Sequence, residues 1–208
     1  MKPKHARPAV AYLRKADPVL ARVIEEVGPC RLEVRAEGTH FHALLRSVLW
    51  QQLSGKAAQS IHDKLRAIYG GRDPEPAELI ATSEDALRAA GVSRQKQTYL
   101  RDLAAKVDEG LLPLHAVEGL PDEAIIESLS QVKGVGTWTV QMFLLFRLGR
   151  PDVLPCADLG IQKAIQRAFA LPALPKPAEV LARGTPWRPY ASVASWYLWQ
   201  SLDVAVPD

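Results

Sequence analysis

Apolar residues recur along most of this chain at the three-and-four spacing of a helix buried on one side. From Thr39 onward, Phe41, Leu44, Leu45, Val48 and Leu49 share one face. After a break at Trp50-Gln51-Gln52-Leu53-Ser54, the residues Ala57, Ala58, Ile61, Leu65 and Ile68 repeat the pattern as far as Gly70-Gly71. Ser83 reads as the N-cap of a helix over EDALRAAG, and a further amphipathic helix spans about 94–110. Asp122 to Leu129 forms another helix, and Ile161, Ala164, Ile165, Ala168 and Phe169 mark the buried stripe of one that follows Asp158. Tyr190 to Leu202 is the last helix, with Val193, Trp196, Tyr197 and Gln200 on one side. VQMFLLFRL, from Val140 to Leu148, is apolar almost all round and predicts a helix buried in the middle of the protein.

Proline and glycine punctuate the remainder. Asp17-Pro18 reads as an N-cap with proline at the first helical position, and two short helical patterns lie between Pro8 and Val27, where Gly28-Pro29 ends the second. Pro74, Pro76 and Thr82-Ser83 mark a loop leading to a new helix start. Residues 171–189 read mostly as loop, with a short helix near 177–183. Residues 30–38 read as a short extended piece or a loop, since the alternation in RLEVRAEG is brief. The expected fold class is all-α, with no internal repeat.

The sharpest local signal is Leu129–Thr139, LSQVKGVGTWT. Lys133-Gly134-Val135-Gly136-Thr137 is a tight turn between two helical runs, and its glycines admit positive φ and close backbone approach. The helix after it is expected to begin with free N–H groups at Val135 to Thr139. Such an end favours an anion, above all a phosphate. No acid occurs between Glu127 and Asp152, whereas Lys133, Arg147 and Arg150 do. The Gln52-Leu53 turn is a second acid-free tip, because no acid falls between Glu37 and Asp63.

Composition adds constraints rather than a function. The chain has 208 residues, 48% hydrophobic and 24% charged, with a net charge of +3, so a nucleic-acid surface would have to be local. The start, MKPKHARPA, is basic and proline-rich without an apolar stretch, and residues 1–16 are expected to be a basic tail. No run is long enough to span a membrane, and a cytoplasmic location is expected. Cys30 and Cys156 form no metal-binding spacing and read as thiols.

LSQVKGVGTWTV, followed by LPCADLGIQKAI, together with QQLS at 51–54 and WRPYASVASWYLW near the end, resembles the helix-hairpin-helix base-excision DNA glycosylases. Within that superfamily the AlkA type, 3-methyladenine DNA glycosylase II, is the most similar, over roughly residues 17–202. The resemblance implies a two-lobed helical bundle over 17–208 with a cleft between the lobes. About 39–130 would form one lobe, and the termini plus 131–208 the other. The resemblance is to a short form of the family, with no N-terminal β domain expected.

The resemblance also assigns roles. Asp158 would be the catalytic carboxylate, stabilising positive charge on the sugar as the N-glycosidic bond breaks. By itself Asp158 reads first as a helix cap, and the two roles are compatible because a helix N-terminus favours an anion. Strand-cutting members carry a lysine where this chain has Trp138, so a monofunctional enzyme leaving an abasic site is implied. Trp138, Met142 and Trp196 would line the base pocket, with Met142 standing where the best-known AlkA has a tyrosine. Gln52 and Leu53 would wedge into the duplex. Lys133, Gly134, Val135, Gly136, Thr137 and Thr139 would hold phosphates. A monovalent cation bound through backbone carbonyls of Ser130, Val132 and Val135 is implied when DNA is bound. No other cofactor is expected, and the iron–sulfur cluster of endonuclease III-like members is not, for want of cysteines. The implied partner is duplex DNA with alkylated bases, handled by a monomer. Substrate order stays open among 3-methyladenine, 7-methylguanine, 1-methyladenine, 3-methylcytosine and hypoxanthine. Two alternatives remain: a glycosylase for other damaged bases, and a non-catalytic helix-hairpin-helix DNA-binding module.

Overall fold

A computed structural model describes residues 3–203, with side chains from residue 6 onward, and every regular element among them is helical. The chain divides into two compact units. One comprises Met1–Arg35 and Leu144–Asp208, the other Ala36–Phe143.

The second unit is built on α3 (His40–Trp50), whose predicted stripe of Phe41, Leu44, Leu45, Val48 and Leu49 is buried throughout. It packs against α4 (Gly55–Ile68) and α7 (Arg94–Asp108). A capping box starts α3. The Thr39 hydroxyl accepts from His42 N (3.2 Å), while His42 Nδ1 accepts from Thr39 N (3.2 Å). With Nδ1 accepting, His42 Nε2 is the donor to the Pro74 carbonyl, 3.2 Å away. Two short helices follow, α5 (Pro76–Ala81) and α6 (Glu84–Ala89), both packed on α7. The first stands where the sequence reads as loop. Pro76 begins it, and Glu78 folds back onto Glu75 N (2.9 Å), so a six-residue helix forms with a single buried anchor, Leu79. The hairpin pair completes the unit: α8 (Asp122–Leu129) and the first part of α9 (Thr137–Phe146).

The first unit holds α1 (Pro3–Ala16), α2 (Pro18–Val27), α10 (Leu159–Ala168), α11 (Pro177–Arg183) and α12 (Ala191–Ser201). At its centre lies α12, in contact with α1, α2 and α10, and every residue from Ala191 to Leu198 is buried. The expected one-sided helix is therefore enclosed. Of the basic tail expected over 1–16, residues 3–16 are α1, which packs on α2 and α12, and residues 1 and 2 lie outside the described residues. Ala6, Ala9 and Leu13, spaced three and four apart, supply its buried stripe. Two of the three are alanines, which bury little area and leave a weak hydrophobic signal beside five lysines and arginines in the first fifteen residues. Asp17 then caps α2 through Val19 N (2.8 Å) and Leu20 N (3.1 Å), and its other oxygen accepts from buried Trp187 Nε1 at 2.8 Å.

The division between the units also differs from the expected lobes. It falls at Arg35 and Phe143 rather than near 39 and 130, so the whole hairpin turn and the start of α9 belong to the second unit. Val140, Phe143, Leu144 and Leu145 of α9 are buried, as an all-round apolar helix requires. Among the described residues no helix is long and apolar enough to cross a membrane.

Candidate active site and nucleic-acid interface

In the second unit the hairpin turn is fixed by residues distant in sequence. Gly134 has φ +75°, and a Cβ there would lie 2.5 Å from Tyr99 Cγ, inside the aromatic ring's contact envelope. Only glycine satisfies both conditions. Asp102, one turn further along α7, accepts from Lys133 N (2.9 Å) and Lys106 Nζ (2.6 Å), and lies 3.9 Å from Lys133 Nζ. Burial raises the Asp102 carboxyl pKa, but those donors outweigh it and hold the group below the usual carboxylate range. Thus the hairpin, acid-free in sequence, has an acid beneath it that orders its backbone.

Two of the expected phosphate donors are already used. Val135 N donates to Val132 O (3.0 Å) and Lys133 N to Asp102. Among the described residues the N–H groups of Gly134, Gly136, Thr137 and Thr139 donate to no protein acceptor, consistent with their place at the turn and the first turn of α9. Lys133 keeps an exposed ammonium, Gly136 and Thr137 are exposed, and the Thr139 side chain is buried. Among the described residues the carbonyls of Ser130 and Val135 accept no hydrogen bond and that of Val132 accepts one, so each of the three oxygens keeps a lone pair of the kind the implied monovalent cation would need. No group of three or more His, Cys, Asp or Glu side chains among the described residues could hold another metal.

In the Gln52-Leu53 turn both side chains are exposed, and Gln52 is in the left-handed region at φ +58°. A non-glycine residue there is uncommon and needs support from its surroundings. Lys96 supplies part of it, donating from its ammonium to Leu49 O and to Gln51 O (2.8 Å) at the C-terminal end of α3. Desolvation in that position lowers the Lys96 pKa. Gln51 supplies the rest: its amide reaches Gly134 O at 2.9 Å and the Thr139 hydroxyl at 3.3 Å. Wedge turn and hairpin are therefore tied together directly. Trp138 is 44% exposed and Met142, one turn on, is half-buried.

In the first unit Asp158 caps α10, its Oδ1 accepting from Ile161 N at 2.8 Å. The side chain is half-buried, and a second donor, Trp199 Nε1, meets the same oxygen at 2.9 Å. The loop before it is stitched to α12. Ser192 accepts from Val153 N (2.9 Å) and donates to Arg150 O (2.6 Å), while Ser195 donates to Val153 O (3.1 Å). Trp196 is only 9% exposed and meets the Tyr197 ring edge-on, so most of its surface is spent on packing. Asp158 and Trp196 belong to this unit, on helices packed against one another; Trp138, Met142, the hairpin and the wedge turn belong to the other.

Sequence reasoning assigned no role to Tyr99, Asp102, Gln51 and Lys96, which hold the hairpin and the Gln52-Leu53 turn, or to Ser192, Ser195 and Trp199, which hold Asp158 and its loop. Gln51, inside QQLS, and Ser192, Ser195 and Trp199, inside WRPYASVASWYLW, lay within the motifs that carry the resemblance; Tyr99, Asp102 and Lys96 had no local signal.

The family model for HhH-GPD superfamily base excision DNA repair proteins matches residues 45–189. DNA-3-methyladenine glycosylase 1 of Schizosaccharomyces pombe is 34% identical over 200 residues, covering 95% of this chain and 88% of the relative. Among solved structures, the S. pombe 3-methyladenine DNA glycosylase Mag1 in complex with abasic DNA superposes with a TM-score of 0.85, covering 95% and 98% of the two chains. A DNA-3-methyladenine glycosidase from Bacillus halodurans superposes with a TM-score of 0.83 at 35% identity, covering 92% and 88%. The chain belongs to the HhH-GPD superfamily of base excision DNA repair proteins.

Proposed function

We propose that this protein is a monofunctional DNA glycosylase that removes alkylated bases, 3-methyladenine and 7-methylguanine among them, from duplex DNA. The observation that carries this reading is Asp158: a half-buried carboxylate at a helix N-terminus, one oxygen held by two N–H donors. An anion so placed stabilises the oxocarbenium-like sugar that forms as the N-glycosidic bond stretches. The alkylated base carries positive charge, so it departs with the bonding electron pair as a neutral molecule and needs no general acid. Water then bonds to the anomeric carbon and releases a proton, leaving an abasic site.

Trp138 occupies the place where strand-cutting relatives carry lysine, and an indole forms no imine with the sugar. The strand therefore stays intact. The exposed face of Trp138 suits a cationic purine, where cation–π attraction contributes ~0.5–2 kcal/mol, and the largely packed Trp196 has only an edge to offer one. Met142 offers a softer and less planar contact. Gln52 and Leu53 fill the gap left by the extruded nucleotide. The free N–H groups of Gly134, Gly136, Thr137 and Thr139, with the Lys133 ammonium, hold phosphate without reading sequence. A monovalent cation on the carbonyls of Ser130, Val132 and Val135 would add positive charge there. One chain supplies every group in this scheme.

The test is to incubate methylated duplex DNA with the protein. Free alkylated bases, from strands that break only after hot alkali, support the reading. A non-catalytic binding module would release none, and breaks without alkali would contradict a monofunctional enzyme.

A further inference from the structure

We propose that Trp199 is a positioning residue for Asp158, and that the bare Cα of Gly160 is what lets the two meet. The proposal rests on the assignment of Asp158 made above. A helix cap needs only a donor from its own helix, and Ile161 N supplies it at 2.8 Å. That single contact leaves the carboxylate poorly oriented, because the terminal torsion of an aspartate is broad. Trp199 Nε1 reaches the same oxygen at 2.9 Å from α12, 41 residues on. An indole N–H can only donate, so its direction is unambiguous. The ring is itself held, stacked on Phe146 with centroids 5.9 Å apart and planes at 27°. Two donors from different directions fix Oδ1, and with it the plane of the whole carboxylate. Stabilisation of a developing charge is sensitive to such placement.

Gly160 lies between the partners. A Cβ there would stand 3.0 Å from Asp158 Oδ1, 3.1 Å from Trp199 Cδ1 and 3.3 Å from Trp199 Nε1. These distances are tighter than ordinary contact, so an alanine would push the donor and acceptor apart by a few tenths of an ångström. Gly160 has no positive φ and sits in the first turn of α10, where alanine is otherwise the better helix former.

The experiment measures single-turnover release of 7-methylguanine from a duplex carrying one such base. Trp199→Phe keeps an aromatic ring for Phe146 and removes the donor. We expect it to lose on the order of 10- to 100-fold in rate, the range for a hydrogen bond to a charged group. Affinity for a duplex with an abasic analogue should stay within about twofold, since the donor is engaged with Asp158. In an Asp158→Asn background Trp199→Phe should cost nothing further, because its effect runs through the carboxylate. Gly160→Ala should also slow release while the thermal midpoint holds or rises, an outcome that loss of packing would not give. Wild-type rates in Trp199→Phe, or the same factor lost in both backgrounds, would overturn the proposal while leaving Asp158 in its role. No base release by the wild type, or full-rate release by Asp158→Asn, would overturn that role and this proposal together.

Discussion

Gly134→Ala tests whether the hairpin is set by its contact with α7. The substitution imposes two separable costs. At φ +75° an L side chain costs ~1–2 kcal/mol. The new Cβ would also overlap the Tyr99 ring, nearest its Cδ2 and Cε2 and 2.5 Å from Cγ, so the ring or the turn must shift. Overpacking of that kind costs ~1–3 kcal/mol. The sum is ~2–5 kcal/mol, a large share of the stability of a domain this size. Urea unfolding of four proteins separates the parts: wild type, Gly134→Ala, Tyr99→Ala and the double variant. With the ring gone, only the φ cost should remain, so Gly134→Ala should be milder in the Tyr99→Ala background by ~1–3 kcal/mol. A cost equal in both backgrounds would refute the steric argument, and a single-variant cost below about 0.5 kcal/mol would refute both terms. Nonspecific duplex affinity should fall with Gly134→Ala, because the displaced turn carries the N–H groups assigned to phosphate.

Asp17→Ala should destabilise the protein by ~2–4 kcal/mol in urea titration. It removes a cap worth ~1 kcal/mol and strands the buried Trp187 N–H at ~1–3 kcal/mol; a loss under about 0.5 kcal/mol would contradict this. Asp102 should make stability depend on pH in a defined direction. Its folded pKa is depressed, so the stability it contributes is present above the unfolded value of ~3.9 and is lost as pH falls through the folded one. The gap in unfolding free energy between wild type and Asp102→Asn should therefore narrow on acidification below about pH 4, and a gap unchanged at pH 3 would contradict the assignment.

Much of this architecture was legible because its signals are local and redundant. The α3 stripe, the Ser83 and Asp158 caps, the α8 boundaries and the hairpin glycines each follow from a few adjacent residues. What escaped reading lacked such a signal. α1 buries mostly alanines, and α5 has only Leu79 to declare it. The Val135 amide was counted among the free donors because nothing in VKGVG reveals that it closes back on Val132. The supports of the site are long-range pairs: Gln51 meets Gly134 across 83 residues, Lys96 meets Gln51 across 45, and Trp199 meets Asp158 across 41. A polar residue on a helix face offers no clue to a partner at that distance. The aspartate itself could be found in the sequence; the contact that Trp199 makes with it could not.

The central claim is that the Asp158 carboxylate stabilises the reacting sugar, and the most direct measurement is the single-turnover excision rate of Asp158→Asn on a 7-methylguanine duplex. Asparagine retains the cap acceptor, so the fold and the affinity for abasic-analogue DNA should persist. The account predicts a rate lower by at least about 100-fold, the usual scale for losing one stabilising group at a developing charge. Excision by Asp158→Asn at the wild-type rate would contradict it.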